Sequence, residues 1–458
     1  MRKKIIIIFL SAVFLRLFFG VFWYINDRPL YNASGDGPSY IQTANNLVEK
    51  GIWSSDPDNN PKPDNFRTPA YPLFLSVFLK FNIPFDYIAI IQGILMAVSA
   101  VLIYFLGRRL FNESVAFWTG FTFAIHPYLA SSFVSSAILT EVFAVFLLII
   151  SFFGFAIYIK EEKNKFLVIG SVFLALAALT KPQFLIFLFF MPIAALLSKD
   201  KFLIKTKKVL LCFLIYFILI SPWLYYNFFV LKVHQFSSVP SVSVYIIAGY
   251  FQESLKGGHG QQFNDFTFEQ AKRITSSNND AQLFEPHNAK TLAKLGTDFI
   301  KTKLFSFAYY HITRIPRIFY HDTTVETLSG DLNGSQNLKP GEMDINVIKN
   351  IWKGNFSAAK TDLLQHPSWF LSLFLKAITL LLAILAIINF FLVWKFTGQI
   401  SQVSLFFLLF IISFGVMASP VGQQRYRVPI EPFILILAFD SIKLIYQKSK
   451  SFLWQNSF

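Results

Sequence analysis

The sequence predicts an all-α polytopic membrane protein of about ten transmembrane helices, with a short helical loop at one membrane face and one much larger loop on the same side. Two observations carry this. Hydrophobic residues make up 54% of the 458 and aromatic ones 18%, with a mean hydropathy of +0.50. A soluble fold of this size could not withdraw so much apolar surface from water. The apolar residues are also gathered into runs able to cross a hydrocarbon core of roughly 30 Å, which takes about 20 helical residues.

The runs fall at 5–25, 84–107, 114–130, 140–159, 166–180, 183–198, 209–230, 368–394, 402–418 and 429–446. The first lacks a small-residue cleavage site at Val21-Phe22-Trp23-Tyr24 and is read as an anchor. The fifth and sixth are short and meet at Thr180-Lys181-Pro182, as a broken hairpin or as two tilted half-helices. This divides the chain into an N-terminal membrane module at 1–230, an extracytoplasmic loop at 231–367, and C-terminal spans with a tail at 368–458.

Charge orients the bundle. Arg2 to Lys4, Arg108 and Arg109, Lys160 to Lys165, Lys199 to Lys208, Lys395 and Lys443 to Lys450 all fall on one side when the spans alternate. By the positive-inside bias that side is the cytoplasm, with both termini there. The +15 net charge is in good part this topological signal and does not argue for a nucleic-acid partner. The single Cys212 excludes a disulfide framework and a cysteine-based metal site.

The loops 26–83 and 231–367 then lie outside. Within the first, Tyr40, Ala44, Leu47 and Val48 form one apolar stripe on a short helix, with Gly37 as its cap, Pro38 in its first turn and Gly51 as its stop. The apolar stretch Leu73 to Leu79 is too short to span and is placed along the membrane surface. In the larger loop, aromatic residues mixed with cations over 299–320 suit a helix in the headgroup layer.

Several residues could carry chemistry. Asp36, on a Gly-Asp-Gly turn, is either a turn residue satisfying backbone amides or a general base or metal ligand at the membrane surface. Glu141 opens the fourth span, where it either complements the helix dipole or serves an active site. His126 at a span end reads as an interfacial group. Arg16 lies eleven residues into the first span, roughly 16 Å deep, so it marks a cavity, an intramembrane partner or a buried ion pair. Arg67, Lys181, Arg425 and Arg427 map to the outer side against the charge bias. They bind lipid phosphates nonspecifically, or they form a site for a phosphate or pyrophosphate leaving group.

These segments, in this order, resemble the GT-C superfamily of integral-membrane glycosyltransferases. The resemblance rests on a first membrane helix followed by Asp36-Gly37-Pro38-Ser39-Tyr40, then Arg67-Thr68-Pro69-Ala70-Tyr71-Pro72, Glu141, Leu179-Thr180-Lys181-Pro182 and Arg425-Tyr426-Arg427-Val428-Pro429. The branch it is most similar to is that related to protein O-mannosyltransferases and the lipid A aminoarabinose transferase. The resemblance implies sugar transfer from a polyprenyl-phosphate donor to a glycan, lipid or protein acceptor, on the non-cytoplasmic face of the cytoplasmic membrane. It implies Asp36 as the catalytic base, Glu141 as a second acid and Arg67 at the donor phosphate. The chain departs from the pattern at Gly37 and Phe66, where many or some members carry an acid. Those departures leave a divalent-metal cofactor open and assign no metal ligand. A transporter or flippase of lipid-linked sugars or small anions, with Arg16 lining its path, is the rival reading. A non-catalytic scaffold of glycan assembly is a third.

Overall fold

The computed structural model describes residues 1–25, 36–130, 138–255, 271–277, 288–320, 350, 353–365, 367–419 and 424–455. Parts of both outer loops, including 26–35 and 321–349, lie outside these. The described residues are helical, with no strand among them.

Helices occupy each expected membrane run. They are α1 (Arg2–Ile25), α4 (Phe85–Leu110), α5 (Glu113–Ala124), α6 (Pro127–Ala130), α7 (Glu141–Glu161), α8 (Asn164–Thr180), α9 (Phe190–Leu197), α10 (Phe202–Tyr225), α16 (Pro367–Thr397), α17 (Gln402–Ala418) and α18 (Glu431–Gln455). In the outer loops come α2 (Gly37–Lys50), α3 (Ala70–Lys80), α11 (Val239–Leu255), α12 (Ala289–Thr302), α13 (Leu304–Arg314), α14 (Arg317–Tyr320) and α15 (Phe356–Gln365). Among the described residues, five helices are long and apolar enough to cross a membrane, with shorter apolar helices besides. The molecule is a multi-pass membrane protein.

The bundle is organised around α7, whose side chains from Val142 to Ile159 are mostly buried. Its partner α8 approaches closely: a Cβ on Gly154 would lie 3.1 Å from the Phe166 carbonyl oxygen, so any larger residue would push the two helices slightly apart. Phenylalanines fill the space between α7, α9, α17 and α18, with Phe152 stacked on Phe410 at 3.7 Å and ringed by Phe187, Phe190 and Phe433. Between α16 and α18, the Asn389 amide donates to the Leu437 carbonyl, to Asp440 and to Ser441. Such a bond joins two helices where hydrophobicity alone cannot, because lipid is as apolar as leucine.

Three expectations need correction, and the join between the fifth and sixth runs takes the broken form expected. The run 114–130 is not one helix: α5 stops at Ala124 and α6 restarts at Pro127, where proline has no N–H to continue the ladder. The fifth and sixth runs are joined through extended Lys181 (φ −137°) and a 3₁₀ turn, Pro182–Phe189, before α9. Residue 181 is pushed out of the helical region by the proline after it. The single helix expected over 299–320 is broken at Lys303 and before Arg317 into α12, α13 and α14. In α2, the buried face is Tyr40, Thr43, Ala44 and Asn46 rather than Leu47 and Val48. Asn46 earns that place because its amide donates to the Ser54 and Asp56 carbonyls at 2.9 and 2.8 Å, anchoring the chain that follows.

Two ends of the bundle differ in chemistry. At one end Lys4 meets Glu113, Arg109 and Lys163 meet Glu161, and Lys160 caps the last carbonyls of α4. These are the basic groups that the charge bias assigns to the cytoplasm. The opposite end gathers α2, α3, the start of α7 and the start of α18.

Candidate active site

Asp36 stands at the N-cap position of α2, with Gly37 already the first helical residue and Pro38 in the first turn. Its side chain makes no capping bond. It turns instead to two arginines, which explains why the expected glycine cap is not what forms. Oδ1 accepts from Arg67 Nη2 at 2.9 Å, and Oδ2 accepts from Arg425 Nη2 at 2.8 Å.

Arg67 is fixed from several directions. Its Nε donates to Ser39 Oγ at 2.7 Å, and its guanidinium lies 4.2 Å from the Tyr40 ring and 4.6 Å from that of Phe66. Its carbonyl accepts from the Trp53 indole, and the loop before it is closed by Asp64, which accepts from Ser55 and Phe66. Beneath it, Tyr40 packs edge-on against Tyr71, whose hydroxyl donates to Gln92 at 2.7 Å. Thr68 Oγ1 donates to the Thr180 carbonyl, which brings the end of α8, and hence Lys181, to the same place.

Lys181 Nζ donates to Glu141 Oε1 at 2.8 Å, at the outer start of the central helix. Arg425, in the short turn Gln424–Tyr426, links this pair to Asp36: its Nε lies 3.7 Å from Glu141 Oε1. Asp36, Arg67, Glu141, Lys181 and Arg425 therefore form one cluster from five separate segments. Asp36 is the open member: 39% of its side chain is accessible, against 8% for Arg67, 2% for Glu141, 12% for Lys181 and 17% for Arg425.

The electrostatics follow. Burial by itself would raise the Asp36 carboxyl, but the Arg67 and Arg425 guanidiniums outweigh it and hold the group well below the usual carboxylate range. Burial likewise opposes the Arg425 cation, yet Glu141, Tyr426 and Asp36 more than compensate and raise it further above its ordinary value.

Two expected site residues are placed elsewhere. Arg427 is fully buried and donates to Glu431 four residues on, at 2.7 Å, with His126 3.9 Å from the other Glu431 oxygen. Arg16 donates to the carbonyls of Ala12 and Ala124 at 2.9 and 3.3 Å. Its intramembrane partner is thus the end of α5 exposed by the break before Pro127, and no acid pairs with it among the described residues. Sequence reasoning missed Ser39 and Tyr40 as supports of Arg67, and Glu431 as the partner of Arg427. Only the last had a local signal, the i, i+4 spacing.

The donor set was tested for a divalent cation. Both Asp36 oxygens are taken by guanidiniums and Glu141 by an ammonium, so three cations already stand where a metal would need free carboxylates. The described residues of the cluster do not fit a metal. Among the described residues, no group of three or more histidine, cysteine or acidic side chains could hold one.

Residues 66–226 match the family model for dolichyl-phosphate-mannose-protein mannosyltransferase, which takes in Arg67, Glu141 and Lys181. No curated protein sequence matches the chain. Among solved structures, it superimposes on the oligosaccharyltransferase of Archaeoglobus fulgidus in complex with Zn and sulfate, with TM-score 0.51, 14% identity, and coverage of 97% of this chain and 49% of that one. The apo form gives TM-score 0.51, 12% identity and 99% and 51% coverage. The archaeal oligosaccharyltransferase AglB from the same organism, in complex with an inhibitory peptide and a dolichol-phosphate, gives 0.50, 13%, and 100% and 51%. The chain spans about half the length of these proteins, and the likeness is one of fold. The family-model match takes in about a third of the chain and lies inside the fold shared with the archaeal oligosaccharyltransferases, to which the chain is similar.

Proposed function

We propose that the protein is a membrane glycosyltransferase that moves a sugar from a polyprenyl-phosphate-linked donor to an acceptor hydroxyl, at the outer face of the cytoplasmic membrane. The observation that carries this is the cluster in which Asp36, the accessible acid, lies between Arg67 and Arg425 with the Glu141–Lys181 pair alongside. Three cations against two carboxylates leave one positive charge over, the complement of a phosphodiester monoanion. The planar guanidinium forks suit its oxygens.

In the reaction, the acceptor oxygen bonds to the anomeric carbon as the bond from that carbon to the phosphate oxygen breaks. The electron pair leaves with the polyprenyl phosphate, and the hydroxyl proton passes to the Asp36 carboxylate. The arginines stabilise the growing charge on the leaving phosphate, so no acid is required to protonate it. Arg427 supports the site through Glu431 rather than touching the donor. The dolichol-phosphate named with the archaeal neighbour, and the mannosyl donor named in the family model, support a donor of this class.

The test is sugar release and transfer from a radiolabelled polyprenyl-phosphate-sugar by purified protein in lipid nanodiscs. Transfer by wild type, and its loss in Asp36→Asn with insertion intact, is the expected result. Full activity in that variant sinks the mechanism.

A further inference from the structure

The two arginines on Asp36 are held very differently. Arg67 is bolted to Ser39, Tyr40, Phe66 and the closed loop behind it. Arg425 sits in a single turn, its Nε is buried without a hydrogen-bond partner, and its ring contact is the neighbouring Tyr426 at 5.1 Å. Glu141 shows the matching deficit: Oε1 is shared with Lys181, while Oε2 is buried with no partner. Arg425 Nε lies 3.7 Å from Glu141 Oε1, on the carboxylate whose second oxygen is the one left unmet. Unpaired polar groups in a buried site are costly, so they mark a second arrangement in which they pair.

With each oxygen accepting from a guanidinium, the Asp36 carboxylate is a weakened base toward an acceptor hydroxyl. The base is masked at rest. We infer that Glu141 is the alternative seat of the Arg425 guanidinium: donor phosphate draws Arg425 off Asp36 into a position between the phosphate and Glu141, which unmasks Asp36. This rests on the glycosyl-transfer reading above and gives Glu141 a positioning role within it. Arg67 stays in place and keeps Asp36 oriented. The acceptor proton moves to the freed Asp36 oxygen as the sugar leaves the phosphate. When polyprenyl phosphate departs, Arg425 returns to Asp36 and drives that proton to solvent. The acceptor hydroxyl is activated only when a donor is present.

The experiment is infrared difference spectroscopy of the full protein in nanodiscs on adding undecaprenyl phosphate, with steady-state kinetics on the same samples. Wild type should lose an ion-paired carboxylate band assigned to Asp36 by its absence in Asp36→Asn. Glu141→Gln should keep that band on ligand addition and lose about tenfold or more in kcat, with the donor KM within about threefold of wild type. Lys181→Gln leaves Glu141 free to hold Arg425 and should show the Asp36 band already shifted without ligand, which keeps the test alive should Glu141→Gln fail to insert. An Asp36 band indifferent to undecaprenyl phosphate in wild type, or a resting band in Lys181→Gln identical to wild type, overturns the switch. Wild type that shows the band change but transfers no sugar overturns the transfer reading and leaves the switch standing.

Discussion

Both ends of the bundle carry ion pairs, but they are built to opposite rules. At the basic end, Arg109 meets Glu161 with both partners part-exposed, and Lys208 meets Asp200 beside Tyr158 and Ser198, every group finding a local partner. At the other end, charges from segments as far apart as Asp36 and Arg425 meet in a mostly buried cluster that leaves Arg425 Nε and Glu141 Oε2 unsatisfied. The first arrangement is saturated and belongs to topology and stability. The second holds capacity in reserve, and reserve capacity in a buried site is what a ligand uses.

Substitutions at the two ends should therefore separate activity from stability. The largest effect is expected at Asp36→Asn, about a thousandfold loss of transfer with unchanged membrane insertion, in line with removing a general base. Next is Arg67→Ala, which should raise the donor KM by about a hundredfold, as expected for truncating one partner of a buried charged contact. An unchanged KM would remove Arg67 from the donor site. At Glu431→Gln the expectation reverses: thermal stability falls by about 3 kcal/mol, because the buried Arg427 loses the carboxylate its Nε donates to, while the donor KM holds. At the basic end, Glu161→Gln should cost about 1 kcal/mol or less and leave transfer untouched. Smallest of all, a chelator should leave the rate of the purified enzyme at its starting value. Loss of transfer on chelation, restored by a divalent cation, would break the contrast by putting a metal where the arginines stand.

A pH series sharpens the same comparison. The Asp36 carboxyl is depressed in the folded protein, so the stability its pairs provide is fully present above its unfolded value near 4. It is lost only as pH falls through the lower folded value. The gap in melting temperature between wild type and Asp36→Asn should accordingly be as wide at pH 5 as at pH 7, narrowing only in stronger acid.

The sequence made the membrane class and the helix positions legible because the bilayer imposes a length on every apolar run. It placed Asp36, Arg67, Glu141, Lys181 and Arg425 at one end of the bundle through the alternation of spans. It could not show that Asp36 and Arg425 touch, since no local pattern encodes a contact across 389 positions. Arg16 illustrates the other limit. Its depth announced a partner, but the partner is a backbone carbonyl released by a helix break, and carbonyls have no letter in a sequence. Arg427 shares the outward position of Arg425, yet the structure pairs it with the acid four residues on.

The bond between Asp36 and Arg425 also sets a clock. Asp36 leaves the ribosome 389 residues ahead of Arg425. A chain halted before its final two spans carries an unguarded acid at the membrane surface and no phosphate clamp. The cluster is assembled only once the segment carrying Arg425 has been made. Separately expressed segments, divided between α15 and α16, should be silent alone and regain transfer together, since the contact that completes the site is tertiary rather than inherited from either half.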